Sequence, residues 1–197
     1  HHHRLAQVNS YDYYHLSKNK VYDIAFMDGN MRYYGGYVLK TSSFAGYTPT
    51  PAYWRHTTRT NLPLGASTMD VYGAVGNAIT IDGEDIYVAG YRDWFGDTGQ
   101  EGPTGGYTPQ YWKNGTLHDL EEGMRTEYGT GAAYDIKIAD GNVVVVGEVP
   151  RDTLDSYSIE SACVWVNGEL NHLVQIDDVN QNIDDWMQST AKGLYIE

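Results

Sequence analysis

The chain has 197 residues, which is enough to bury one substantial core, so we expect one domain or one array of repeats. Its 26 acidic and 13 basic residues give a net charge of −13, which disfavours nucleic acid as a partner. The single cysteine excludes an intrachain disulfide and a cysteine-based zinc cluster, and no apolar run reaches the roughly 18 residues of a membrane span.

The N-terminal segment precedes the repetitive part of the chain. Residues 1–3 are three histidines, which we interpret as the remnant of a purification tag. The polar and aromatic segment 10–20, SYDYYHLSKNK, is predicted to be an isolated strand.

Two landmarks then recur with one period. The first landmark is a glycine, at Gly36, Gly90 and Gly147, with spacings of 54 and 57 residues. It lies near the end of three similar segments: IAFMDGNMRYYGGY (24–37), ITIDGEDIYVAGY (79–91) and IKIADGNVVVVGE (136–148). The second is a tryptophan, at Trp54, Trp112 and Trp165, with spacings of 58 and 53. Self-similarity at such a period is typical of repeat architectures.

Each unit contains signals for four antiparallel strands. Alternating apolar residues predict first strands at 22–27, 77–82 and 134–139. Asp82-Gly83 and Asp140-Gly141 predict tight hairpins after them, and Asn114-Gly115 and Asn167-Gly168 predict hairpins between third and fourth strands. Four strands in about 55 residues is the size of a β-propeller blade. We therefore predict an all-β propeller with repeats at 21–75, 76–132 and 133–182.

The pattern resembles that of bacterial secreted or lipoprotein β-propellers and, more distantly, kelch repeats. The kelch-like marks are the doublet Gly35-Gly36 and the pairs Tyr53-Trp54 and Tyr111-Trp112. The second and third units depart from kelch repeats, because Ala89-Gly90 and Val146-Gly147 replace the doublet. The resemblance spans residues 21–176, implies a secreted or surface-anchored location, and says little about activity, because propellers carry many unrelated functions.

A partial fourth repeat is predicted at 183–197, where Leu194-Tyr195-Ile196 matches Ile86-Tyr87-Val88 of a second strand. Two arrangements remain open. The strand at 10–20 closes a four-bladed ring, or the chain is a fragment of a larger propeller. Closure would protect both sheet edges.

The longest predicted loop, at 92–109 between a second and a third strand, is the candidate ligand site. It carries Arg92, Asp93, Trp94, Phe95 and Asp97, which offer aromatic rings, a cation and two acceptors. Tyr37 and Glu148, at or next to the corresponding loop starts of neighbouring units, are predicted to lie on the same face.

The other notable residues have simpler interpretations. The repeating tryptophans are predicted to pack between units, and Cys163 to be a buried apolar residue. Catalytic, phosphate-binding and calcium-binding motifs are missing from the sequence, so we predict no catalytic residue, metal or cofactor. The expected function is a non-catalytic, extracytoplasmic module that binds a glycan, peptide or protein, and the alternative is a glycan-active enzyme that uses loop carboxylates.

Overall fold

A computed structural model gives the fold. It describes residues 20–27, 31–42, 46–65, 70–96, 104–120, 131–151, 159–173 and 190–195. The predicted N-terminal strand at 10–20 lies outside these ranges except for Lys20, and so does Asp97 of the predicted loop.

The described residues form three four-stranded antiparallel sheets, each a meander in which every strand pairs with the next one along the chain. Sheet 1 contains β1 (Lys20–Met27), β2 (Met31–Ser42), β3 (Gly46–Arg55) and β4 (Thr58–Asn61). Sheet 2 contains β5 (Asp70–Asp82), β6 (Asp85–Gly96), β7 (Thr104–Lys113) and β8 (Thr116–Asp119). Sheet 3 contains β9 (Ala132–Ala139), β10 (Asn142–Arg151), β11 (Ile159–Val166) and β12 (Glu169–His172).

The all-β prediction is confirmed, and each predicted first strand lies within an observed one. The strand β5 begins at Asp70, ahead of the predicted start of the second repeat at residue 76. No helix occurs in the described part of the chain, so none there has the length and apolar character needed to cross a membrane.

The predicted Asn-Gly hairpins are confirmed. Asn114-Gly115 and Asn167-Gly168 have positive φ at both positions, as the tightest hairpin turns require. Asp140-Gly141 has the same conformation. The predicted turn at Asp82-Gly83 is wrong by one residue, because Asp82 pairs with Asp85 and leaves Gly83 and Glu84 at the centre.

The asparagine of each Asn-Gly turn also joins two hairpins of its sheet. Asn114 Oδ1 accepts a hydrogen bond from Ile86 N at 2.9 Å, and Asn167 Oδ1 accepts one from Val143 N at 2.9 Å. Their amide groups donate to Asp85 Oδ1 at 2.6 Å and to Asn142 Oδ1 at 2.8 Å. The recurring asparagine therefore fixes the third-to-fourth hairpin against the first-to-second hairpin.

The core lies between successive sheets. Trp112 packs with Tyr33, Ile79 and Val88 between sheets 1 and 2, and its indole N–H donates to Pro63 O at 2.8 Å. Trp165 packs with residues of sheet 2 and with Cys163 between sheets 2 and 3. All three repeating tryptophans and Cys163 are fully buried. The predicted packing between units is confirmed for Trp112 and Trp165, whereas Trp54 packs with Val38 and Ala52 of its own sheet. Burial raises the pKa of the Cys163 thiol to about 12.

The segment 190–195 lies against sheet 3 in the way that β5 lies against sheet 1. Leu194 N donates to Asp135 Oδ2 at 2.8 Å, and Ile79 N donates to Asp23 Oδ2 at 3.0 Å. Asp23 and Asp135 both directly follow the bulged residue of a first strand. Leu194 therefore takes the place beside sheet 3 that Ile79 takes beside sheet 1, and the match of residues 194–196 to a second strand stays a prediction.

Candidate ligand-binding groove

A β-bulge recurs at the same position in the first strand of every sheet. The bulged residues are Tyr22, Asn77 and Tyr134, at the register shifts opposite Gly36, Gly90 and Gly147. A Cβ on any of these glycines would lie within 2 Å of the carbonyl oxygen of Lys20, Val75 or Ala132. The recurring glycine of the sequence is thus required by close backbone approach at the bulge.

The three bulged side chains line one open groove of about 600 Å³. Every sheet contributes to it, and so does the segment 190–195. The other lining residues comprise two tyrosines, two carboxylates, one lysine and small backbone positions: Tyr91, Tyr107, Gly131, Ala132, Glu148, Glu160 and Lys192.

Hydrogen bonds from the bulge region join successive sheets beside the groove. Asn77 Nδ2 donates to Ala133 O at 2.8 Å, across sheets 2 and 3. The bonds of Asp23 to Ile79 N and of Asp135 to Leu194 N are made by the residues next to the other two bulges. The bulges therefore both point side chains into the groove and connect its walls.

The aromatic rings at the groove form two close pairs. The Tyr22 and Tyr37 centroids are 6.0 Å apart, and the Tyr91 and Tyr107 rings meet edge to face at 4.9 Å. Lys20 Nζ lies 5.9 Å from the Tyr37 centroid, and Lys192 Nζ lies 5.6 Å from that of Tyr134. Tyrosine rings at this end of the sheets thus already accommodate ammonium groups.

Both oxygens of the Glu148 carboxylate accept hydrogen bonds. Tyr134 donates its hydroxyl to Oε1 at 2.5 Å, and Thr190 donates its hydroxyl to Oε2 at 2.6 Å. Glu148 therefore fixes the Tyr134 ring and the segment 190–195 at one wall of the groove.

Burial dominates the proton equilibria of the groove. It raises the pKa of Tyr91 to about 12, with smaller contributions from neighbouring tyrosines and Asp93. Burial, followed by the hydrogen bond to Glu148, also raises the pKa of Tyr134. The pKa of Asp93 is raised by burial as well. Tyr91 and Tyr134 are therefore uncharged at neutral pH, and their hydroxyls can donate hydrogen bonds.

The predicted loop at 92–109 is largely wrong, since β6 continues to Gly96 and β7 begins at Thr104. Side chains alternate along this part of β6. Arg92 and Trp94 are buried, and Arg92 Nη1 lies 3.6 Å from Asp119 Oδ1. Asp93 is half-buried on the other face, directly opposite Tyr107 in the ladder. Phe95 lies in the backbone ladder opposite Gly105.

The predicted site residues are thus divided between two environments. Glu148 lines the groove, and the ring of Tyr37 lies tilted against that of Tyr22. Both lie within second strands and not at loop starts, because β2 and β10 are longer than predicted. Asp93 shares a strand face with Tyr91, whereas Arg92 and Trp94 point to the opposite side of sheet 2. Whether any of these residues contacts a ligand stays a prediction.

Sequence reasoning missed the three bulged residues and Tyr107. The recurring glycine is visible in the sequence, but its period alone does not identify it as the partner of a bulge. The available signal for the bulges is the pairing of each such glycine with a residue of the preceding strand.

Other kinds of site find little support in this part of the chain. Among the described residues, no three His, Cys, Asp or Glu side chains are grouped in a way that would hold a metal ion.

No protein-family model matches the chain, and no curated protein matches it significantly.

Proposed function

We propose that the chain is a ligand-binding β-propeller or part of one, and that the groove is its binding site. The ligand is a glycan or a peptide, and the location is extracytoplasmic, as the resemblance to secreted propellers suggests. The observation that carries the proposal is the recurring bulge, which directs Tyr22, Asn77 and Tyr134 from three sheets into one groove.

The propeller arrangement is supported by equivalent residues with unequal burial. The side chains of Ile79 and Ile136 are 1% and 0% exposed, because each packs in a core that includes the preceding sheet. The equivalent Ile24 of sheet 1 is 42% exposed. Leu62 and Leu120 are buried, whereas the equivalent Leu173 of sheet 3 is 54% exposed. Each terminal sheet thus presents an apolar position that a further blade would cover.

Binding is supported by the chemistry of the groove walls. Tyrosine rings give large contact area with little conformational entropy to lose, and their hydroxyls add polar contacts. Bulges occur frequently next to functional sites because they re-aim single side chains. The pocket volume lies within the usual range for small-ligand sites.

A glycan-active enzyme would need two available carboxylates at the groove. Of the described residues, Glu148 and Glu160 line it. Because both Glu148 oxygens already accept hydrogen bonds, this carboxylate acts as a structural acceptor, and we favour binding over hydrolysis.

The test is a glycan and peptide array followed by affinity measurements on two variants of the same strand. Tyr22→Ala removes a half-exposed ring at the groove, and Phe26→Ala removes an equally exposed ring at the far end of β1. We expect Tyr22→Ala to weaken binding about tenfold or more and Phe26→Ala to leave it within about twofold, since stacked rings often act as hot spots. Equal affinities for wild type and Tyr22→Ala, with the fold intact, would contradict the proposal.

A further inference from the structure

Within sheet 2, one face of β6 repeats an arrangement of carboxylate and tyrosine. Asp85 and Tyr87 are two residues apart near the start of the strand, and Tyr91 and Asp93 are two residues apart further along. Residues two apart lie on the same face of a strand, so all four side chains share one face. The two pairs therefore invite a direct comparison.

The first pair holds an ammonium group. Lys113, opposite Tyr87 in β7, places its Nζ 2.8 Å from Asp85 Oδ2 and 5.2 Å from the centroid of the Tyr87 ring. The hydrogen bond from Lys113 lowers the pKa of Asp85. In this sheet, a carboxylate and a tyrosine in this spacing hold the lysine side chain of the neighbouring strand.

In the second pair, Tyr91 lines the groove and Asp93 lies two residues further along the same strand face. No lysine of the described residues is paired with this carboxylate. Lys113 lies opposite the tyrosine of the first pair, whereas the residue opposite Tyr91 is Pro109. Tyr107, opposite Asp93 in β7, supplies a second ring, 4.9 Å from that of Tyr91. Burial alone accounts for the raised pKa of Asp93, and no basic side chain of the described residues acts on its carboxylate. A partly buried carboxylate without a cation, beside two tyrosine rings, is an environment that favours a cation from outside.

The charge around the groove favours the same class of ligand. Two glutamates and one lysine line it, and the whole chain carries a net charge of −13. Tyr134 of the groove wall, and Tyr37 beside the groove residue Tyr22, already have ammonium groups over their rings. Tyr91 and Tyr107 are the pair whose rings no described lysine covers.

We propose that Tyr91, Asp93 and Tyr107 bind the cationic side chain of a lysine or arginine in a peptide ligand. The proposal rests on the groove being the binding site and assigns its ligand to basic peptides. Asp93 pairs with the charge, and the two rings contact the cation and the aliphatic part of the side chain. The competing outcome of the experiment is that the groove binds neutral glycans instead of basic peptides.

The experiment is an NMR titration of the protein with the blocked pentapeptide Gly-Gly-Lys-Gly-Gly, following the ring protons of Tyr91 and Tyr107. The matched ligand carries Nζ-acetyl-lysine, which keeps the shape and removes the charge. The matched protein variants are Asp93→Asn and Asp82→Asn, which change the net charge equally, and Asp82 is exposed at the distant β5–β6 turn.

We expect saturable shifts with the lysine peptide and none with the acetylated peptide. Asp93→Asn should weaken binding about tenfold, as loss of a hydrogen bond to a charged group does, and Asp82→Asn should stay within about twofold. Tyr107→Ala, at a half-exposed ring, repeats the test if Asp93→Asn does not fold. Equal binding of the acetylated peptide, or equal weakening by both asparagine variants, would overturn the proposal.

The outcomes also separate this inference from the proposed function. If the array yields a ligand that depends on Tyr22 while the lysine peptide causes no shifts, the basic-peptide assignment fails and the groove remains a binding site. If no ligand depends on Tyr22, and the lysine peptide also causes no shifts, both proposals fail.

Discussion

The two ends of the sheets repeat in different ways. At the hairpin end, which holds the turns at Gly83, Asn114, Asp140 and Asn167, both the backbone and the asparagine side chains recur. At the bulge end, which holds Tyr22, Asn77 and Tyr134, the backbone recurs but the side chains differ. The asparagines of sheets 2 and 3 serve a turn that both sheets need, and His56 takes the corresponding positive-φ position in sheet 1. At the bulges, differing side chains on a recurring backbone are free to serve one shared groove.

The largest expected effect concerns the core that both ends share. Trp112→Ala should destabilise the protein by about 3–5 kcal/mol, because it leaves a cavity between sheets 1 and 2 and removes the bond to Pro63. Urea unfolding followed by circular dichroism measures the change. A loss below about 1 kcal/mol would mean that the ring is not packed between sheets.

The next effect concerns the glycine behind the bulge. Gly90→Ala should destabilise by about 3 kcal/mol, the upper end of the range for overpacking, because the new Cβ would collide with the Val75 carbonyl. The control is Gly193→Ala, where a Cβ would meet nothing within 4 Å. If both variants unfold at the same urea concentration as wild type, the bulge does not require the glycine.

At the hairpin end, two replacements of one asparagine separate its two roles. Asn114→Gly keeps the positive φ and loses only the side-chain bonds, so we expect a loss of about 1 kcal/mol. Asn114→Ala also strains the turn, and we expect about 2 kcal/mol. Thermal unfolding of both variants checks the order, and a more stable alanine variant would contradict it.

A smaller effect is expected at alkaline pH, at the groove. The folded-state pKa of Tyr91 is raised to about 12, above the ordinary value of about 10, because burial favours the neutral ring. Its contribution to stability is therefore complete below about pH 10 and is lost as the pH rises through about 12.

Tyr91→Phe keeps the ring without the ionisable hydroxyl. Its urea midpoint should fall less between pH 10 and pH 12 than that of wild type. The same decline in both proteins would show that Tyr91 does not contribute to the alkaline loss.

The sequence predicted the repeating parts of the fold better than the groove. The strands were predictable from the alternation of apolar residues, and most turns from the Asn-Gly pairs. The core tryptophans were predictable because they recur with one period. The loop predicted at 92–109 was mostly strand, because its glycine-rich composition concealed the alternation of Arg92 and Trp94 with Tyr91 and Asp93. The bulges were not predictable from period alone, since they depend on which backbone faces each glycine across the ladder.

The contrast between the hairpin end and the bulge end of the sheets is tested most directly by locating the backbone amides that a bound ligand affects. The measurement is the change in amide chemical shifts on adding the tightest-binding compound of the glycan and peptide panels. We predict the largest changes at Tyr22, Asn77 and Tyr134, with no change at Gly83, Gly115, Gly141 and Gly168 of the hairpin turns. Changes concentrated at those turn glycines, with the bulged residues unaffected, would contradict the assignment of the bulge end as the binding site.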